Sequence, residues 1–151
     1  MFDFSDPCWT TTYRGVVTAW DCDHVGHLNI AHYVSRFDES HWPFFGEVGL
    51  TPTFLRGAGC GMAAVEQHIR YLKEVRAGDT VAIRSRVVAI RSKVILSEHV
   101  LVDDDSGEPC AHETITCAFL DLAARRAVAF PPEIAARVQA RLQLGTARPT
   151  L

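Results

Sequence analysis

The feature that most constrains this chain is a change of hydrophobic period near its middle. Ile30, Tyr33, Val34, Phe37, His41, Phe44, Phe45 and Val48 recur at the three, four and seven spacing of one helix face. The spacing predicts a single long helix with an aromatic buried side. Asn29 is placed to cap it, because a short side-chain oxygen accepts from the first free amides, and Gly49 is a natural stop. Pro43 lies inside the pattern and predicts a kink or two abutting helices.

From Gly61 onward the period is two. Val65, Gln67, Ile69 and Tyr71 alternate with Glu66, His68, Arg70 and Leu72. Turn residues at Ala77-Gly78-Asp79, Arg91-Ser92-Lys93 and Asp103-Asp104-Asp105-Ser106-Gly107 then separate strands over 81–90, 94–102 and 110–122. All three connections are short, which predicts antiparallel hairpins throughout. A Thr- and Val-rich first strand is expected over 10–18. Pro131-Pro132 opens a terminal helix over 133–144 with Ile134, Val138 and Leu142 on one stripe. The order predicts an α+β fold: a curved antiparallel sheet of about five strands wrapped around one long helix, with a short C-terminal helix.

At 151 residues, without repeats or a linker, the chain reads as one domain over 1–144 with a disordered tail over 145–151. A net charge of −3 gives no general pull toward nucleic acid or an anionic membrane, so an anionic ligand needs a local group of Lys and Arg. No apolar run approaches the roughly 20 residues of a membrane span, and the first residues lack the basic start of a signal peptide. Five scattered cysteines without a C-x-x-C pair read as reduced thiols, so a cytoplasmic location is expected. Cys22, His24, His27 and His32 match no structural zinc spacing, and neither metal nor cofactor is expected. Gly57-Ala58-Gly59-Cys60-Gly61 lacks the Lys-Ser/Thr of a phosphate loop and reads as a flexible bend.

The informative segment is Asp21-Cys22-Asp23-His24-Val25-Gly26-His27-Leu28-Asn29, followed by Tyr33. It resembles the D-x-D-x-x-G-H-x-N-x-x-x-Y signature of the 4-hydroxybenzoyl-CoA thioesterase branch of hot-dog proteins. The likeness runs on through the helix, His68-Ile69-Arg70-Tyr71, Ala77-Gly78-Asp79 and the last strand, roughly residues 12–122. The resemblance implies an acyl-CoA thioesterase in which Asp23 is the catalytic carboxylate and the backbone amide at about Ile30 polarises the thioester carbonyl. It also implies that the basic turn Arg91, Ser92 and Lys93 holds the nucleotide of CoA. The chain departs from the pattern in carrying Ile30 where many members have a second Asn; the backbone donor survives that change.

Those residue types suit the chemistry. A carboxylate before a helix can attack a thioester carbonyl or serve as base toward water, and helix N-terminal amides can hold the oxyanion. His27 and Asn29 are candidates to orient Asp23 or a water. Their other reading is a half-buried side chain and a simple cap. Asp23 itself could be only a turn residue, and Asp21 is expected to fix the turn. Gly26, Tyr33, Gly61, Met62, Arg91, Ser92 and Lys93 are the candidate substrate contacts, with Arg84 and Arg86 extending the basic group along one strand face. Trp42, Phe44 and Phe45 serve either the core or the acyl pocket. Hot-dog sites of this branch form between subunits, so the resemblance implies a homo-oligomer, a dimer or a dimer of dimers. The competing reading is a hot-dog protein that binds acyl-CoA or acyl carrier protein without turnover; the Asp/His dyad of the hydratase branch is absent.

Overall fold

A computed structural model describes residues 2–144. Strand β1 (Thr10–Val16) leads through a 3-10 turn at Ala19–Asp21 to helix α1 (Ile30–Glu47) and a second helix, α2 (Pro52–Ala58). Strands β2 (Cys60–Tyr71), β3 (Thr80–Arg91), β4 (Val94–Asp103) and β5 (Pro109–Asp121) follow. Two residues of β6 (Arg126–Ala127) and helix α3 (Pro132–Leu144) complete the chain. The expected tail over 145–151 lies outside the described residues.

Helix α1 begins and ends where its caps dictate. The Asn29 side chain accepts from the Ala31 N–H at 3.0 Å. Beyond the helix Gly49 takes φ +91°, a conformation open to glycine, and the Leu50 N–H closes back onto the Phe45 carbonyl. Pro43 does not divide the helix into two. The buried aromatics that follow it, Phe44 and Phe45, continue the inward face and hold the last turn against the sheet.

Gly57-Ala58-Gly59-Cys60-Gly61 is not a flexible bend. Gly57 and Ala58 end α2, whose start is capped by Thr51 accepting from the Phe54 N–H at 3.1 Å. Gly59, at φ +64°, ends that helix, and Cys60 and Gly61 open β2.

The sheet order is β1-β3-β4-β5-β2, antiparallel throughout, with β6 on β5. Two of the three expected hairpins form. The connection from β2 to β3 is instead a crossover, because β2 pairs with β5 and β3 with β1. The curl of the sheet brings its far strands close enough at one end for a short segment to cross. Leu72 and Lys73 donate to the Cys110 carbonyl, Leu28 donates to the Val75 carbonyl at 2.7 Å, and Gly78 donates to the Val17 carbonyl. The crossover therefore underlies the start of α1.

Tyr33, Phe37, Phe44 and Phe45 of α1 fill the concave side. One part of the core gathers Phe37 and Leu28 with Val81, Ile83 and Leu101. The other gathers Phe44, Leu50 and Ile115 with Ile134 and Val138 of α3. Fully burying side chains of this size contributes about 1.5–3 kcal/mol each. All five cysteines are free; Cys8, Cys110 and Cys117 are buried, and Cys22 and Cys60 are half-buried. Among the described residues, no helix is long and apolar enough to cross a membrane.

Candidate active site

Residues 22–28 form a closed loop against the N-terminus of α1. Cys22 and Leu28 make an antiparallel bridge, and the Asp23 N–H donates to the His27 carbonyl at 3.2 Å. Gly26 makes the reversal possible at φ +91° and donates to the Asp23 carbonyl. The Asp23 carboxylate is half-exposed at the mouth of this loop. One oxygen accepts from the Val25 N–H at 2.9 Å and the other from the Asn29 amide at 3.0 Å. These bonds, the Val25 one first, hold its carboxyl below the usual carboxylate range. It is ionised at neutral pH.

Asn29 therefore does two jobs. Its carbonyl oxygen caps the helix while its amide nitrogen orients Asp23. The first amide of α1, the Ile30 N–H, has no hydrogen-bond acceptor among the described residues, whereas Ala31 and His32 both donate to Asn29. One free donor at the positive end of an 18-residue helix thus follows directly on Asn29, the residue that orients the Asp23 carboxylate. His27 Nε2 lies 3.9 Å from Glu74 Oε1. Next to the loop lies a cavity of about 370 Å³ lined by His27, Ile30, Tyr33, Tyr71, Lys73 and Glu74 among others. Tyr33 is buried edge-on to Tyr71, ring centroids 5.1 Å apart, and burial pushes its hydroxyl up to about 12.

Asp21 is consumed by structure. Its Oδ2 accepts from the Thr18 N–H and hydroxyl and from Arg36 at 2.9 Å. Burial raises its pKa, but Thr18 and the Arg36 guanidinium outweigh burial and bring it to about 2. A folded pKa below the unfolded value of about 3.9 gives stability that is present above pH 4 and lost as pH falls toward 2. Asp21→Asn should therefore lower the urea midpoint at pH 7, with the gap to the parent closing near pH 2. A gap of the same size at both pH values would contradict this role.

The basic group is smaller than the sequence suggests. Arg91, Ser92 and Lys93 are exposed at the β3–β4 turn, where Arg91 and Ser92 border a cavity of about 480 Å³ shared with Phe130 and Gln139. Arg84 and Arg86 do not join them. Arg84 bonds Thr11, and Arg86 is fixed by Glu98 at 2.6 Å and by the Trp9 ring. Gly61 and Met62 start β2 at the far end of α1 from Asp23, and Met62 lines a separate cavity there. Trp42 and Phe45 line that cavity too, whereas Phe44 is core.

Cys22, His24, His27 and His32 do not converge. Among the described residues the one cluster of three metal-type ligands is His41, His99 and Glu113, all buried, with ligand atoms within 4.8 Å of one another. Each already has protein partners. Glu113 accepts from His41 Nε2 at 2.7 Å and from Gln67 at 2.5 Å. The two nitrogens of His99 meet Ser85 at 2.7 Å and Ser97 at 2.9 Å, and Thr12 continues the row. Burial, and then His41 and His112, keep His99 neutral, so one ring nitrogen donates and the other accepts. Ser85, His99 and Glu113 are direct cross-strand partners. The row was visible as polar residues at inward positions: Ser85 between Ile83 and Val87, Ser97 and His99 between Ile95 and Leu101, Glu113 between Ala111 and Ile115.

A curled antiparallel sheet around one long helix, with a short C-terminal helix, defines the hot-dog fold. The family profile of the thioesterase-like superfamily matches residues 17–138. The chain is 27% identical over 139 residues to the betainyl-CoA thioesterase of Pseudomonas aeruginosa, covering 92% of this chain and 87% of that protein. It is 30% identical over 112 residues to the L-carnitine dehydrogenase/betainyl-CoA thioesterase of Agrobacterium fabrum, covering 74% of this chain. That bifunctional protein is far longer, and the match spans only 23% of it. A Staphylococcus aureus protein solved with CoA superposes with a TM-score of 0.81 at 20% identity, over 94% of this chain and 88% of that one. The chain belongs to the thioesterase-like superfamily. It is a thioester hydrolase.

Proposed function

We propose that this chain hydrolyses an acyl-CoA to a carboxylic acid and free CoA, with Asp23 as nucleophile or general base and the Ile30 N–H as oxyanion donor. The observation that carries this reading is the pairing of an ionised, Asn29-oriented carboxylate with a free helix N-terminal amide. A preorganised donor of this kind lowers the barrier by about 3–4 kcal/mol. The CoA bound by the S. aureus protein and the acyl-CoA substrate named for the two relatives support CoA as the carrier. On this reading the exposed turn Arg91, Ser92 and Lys93 meets its phosphates. Tyr33 and Gly26 shape the floor and the turn of the site.

The working unit on this reading is a homodimer. Strand β2 is an edge strand 12 residues long, with Val65 and Tyr71 exposed. Its unpaired amides and carbonyls are a template for a second copy. Antiparallel β2-to-β2 pairing would cover them and extend the sheet through both protomers.

Thiol release from a panel of short, long, branched and aromatic acyl-CoAs tests the reading. Turnover on one acyl class is expected, with Arg91→Ala/Lys93→Ala raising KM by about tenfold at low salt and less at high salt. If the protein binds acyl-CoA yet releases no thiol from any member, the non-catalytic alternative stands instead.

A further inference from the structure

We infer that the cavity under the middle of α1 receives a quaternary ammonium carried by the acyl group, and that this group reaches it from the partner's Asp23. The inference rests on the thioesterase reading and on the β2 pairing above. The cavity, about 200 Å³, is lined by Asp38, Trp42 and Phe45 of α1 and by Met62, Ala64 and Gln67 of β2, with His41 behind. The Trp42 and Phe45 rings stand at 79° with centroids 6.2 Å apart, so the cavity has two aromatic walls. Asp38 supplies an exposed carboxylate, one oxygen of which lies 4.0 Å from His41 Nδ1. Behind Gln67 and His41 lies a second carboxylate, Glu113. No Lys or Arg lines the cavity. Aromatic faces with a carboxylate and no competing cation suit a methylated ammonium, which is attracted to ring faces and cannot donate a hydrogen bond.

Neutral acyl groups would gain nothing from Asp38. The other cavity on this groove, beside Ile30, is lined by both Lys73 and Glu74 and so offers a cation no net attraction.

Geometry decides which Asp23 the cavity serves. Ile30 and Asp38 lie two turns apart on α1, about 12 Å along its axis, too far for a short acyl group held at Ile30 of the same chain. Along the groove, Ile30 and Tyr33 face Tyr71 at one end of β2, while Trp42 and Phe45 face Met62 at the other. Antiparallel pairing of β2 about its middle reverses one copy, so the Tyr71 end of one protomer meets the Met62 end of its partner. The ammonium cavity of one protomer then adjoins the carboxylate loop of the other.

The test compares betainyl-CoA with 3,3-dimethylbutanoyl-CoA, which replaces the ammonium nitrogen by carbon and keeps the shape. The parent should favour the cation in kcat/KM by about tenfold or more, and Asp38→Asn and Trp42→Leu should each move that ratio toward one. Equal rates in the parent, or an unchanged ratio in both variants, would overturn the assignment. Failure of the thioesterase reading is distinct, since neither compound would then release thiol. Dimers carrying Asp23→Asn on one protomer and Asp38→Asn on the other place the residues. They keep the parent's ratio if the cavity serves the partner's Asp23, and losing it would overturn the crossed arrangement.

Discussion

Asp23→Asn is expected to lower kcat by about 10²–10⁴-fold while leaving the fold intact. Asparagine keeps the size of the side chain and an oxygen for the Val25 N–H, so the loop closed by Gly26 and the Cys22–Leu28 bridge should persist. What it loses is the charge. An amide neither attacks a thioester carbonyl nor takes a proton from water, and its NH2 group would face the Asn29 amide, which now donates to Asp23. Substrate affinity should change far less than turnover, because the proposed CoA contacts lie elsewhere. The depressed pKa of Asp23 adds a second readout. Activity limited by this carboxylate should persist from neutral into mildly acid solution, and fall only below the ordinary carboxylate range. Near-parental turnover in the variant would remove Asp23 from the mechanism. Folding is checked separately by the urea midpoint.

The largest effect on stability is expected at the other end of the same helix. His41→Leu should destabilise the protein by about 3–5 kcal/mol, because it strips a fully buried carboxylate of its closest donor. Of its two side-chain partners Glu113 would keep only Gln67. A domain stable by about 5–15 kcal/mol would lose a large share of that margin. The urea midpoint should fall with the slope unchanged. Replacing both members with leucine should recover part of the loss, since the penalty comes from stranding one polar group. A His41→Leu midpoint within error of the parent would mean that the pair carries no such weight.

Much of the fold could be read from the chain. The three-four-seven spacing gave α1 its extent, and Asn29 and Gly49 its ends, because capping is local chemistry. Strands β3, β4 and β5 followed from alternation and turn residues for the same reason. The crossover between β2 and β3 could not be read so. Loop length says how far a chain can reach but not which strand the curl of a sheet brings near. Helix α2 hid in a glycine-rich run because Gly57 and Gly59 read as breakers, although one lies inside the helix and the other ends it.

At the site, the sequence pointed to the Asp23 loop and to the Ile30 amide, both fixed by short-range geometry. Arg86 was overvalued, because its partner Glu98 lies on the next strand and only pairing register brings them together. Glu113 and His99 were given no role from the sequence: each interrupts an apolar inward row, but only the strand register brings the two side by side.

The cysteines bear on how turnover is read. Thiol-trapping reagents attack thiolates, and burial raises the pKa of Cys8, Cys110 and Cys117, the last to about 12, so these three stay protonated and shielded. Free CoA therefore competes for the reagent with only two half-buried protein thiols per chain. One of them, Cys22, is the immediate neighbour of Asp23 and forms one side of the bridge that closes its loop. A bulky adduct there would open that bridge, so a trap present from time zero can inactivate the enzyme it is meant to report on. Quenching samples before the trap is added keeps Cys22 out of the measurement.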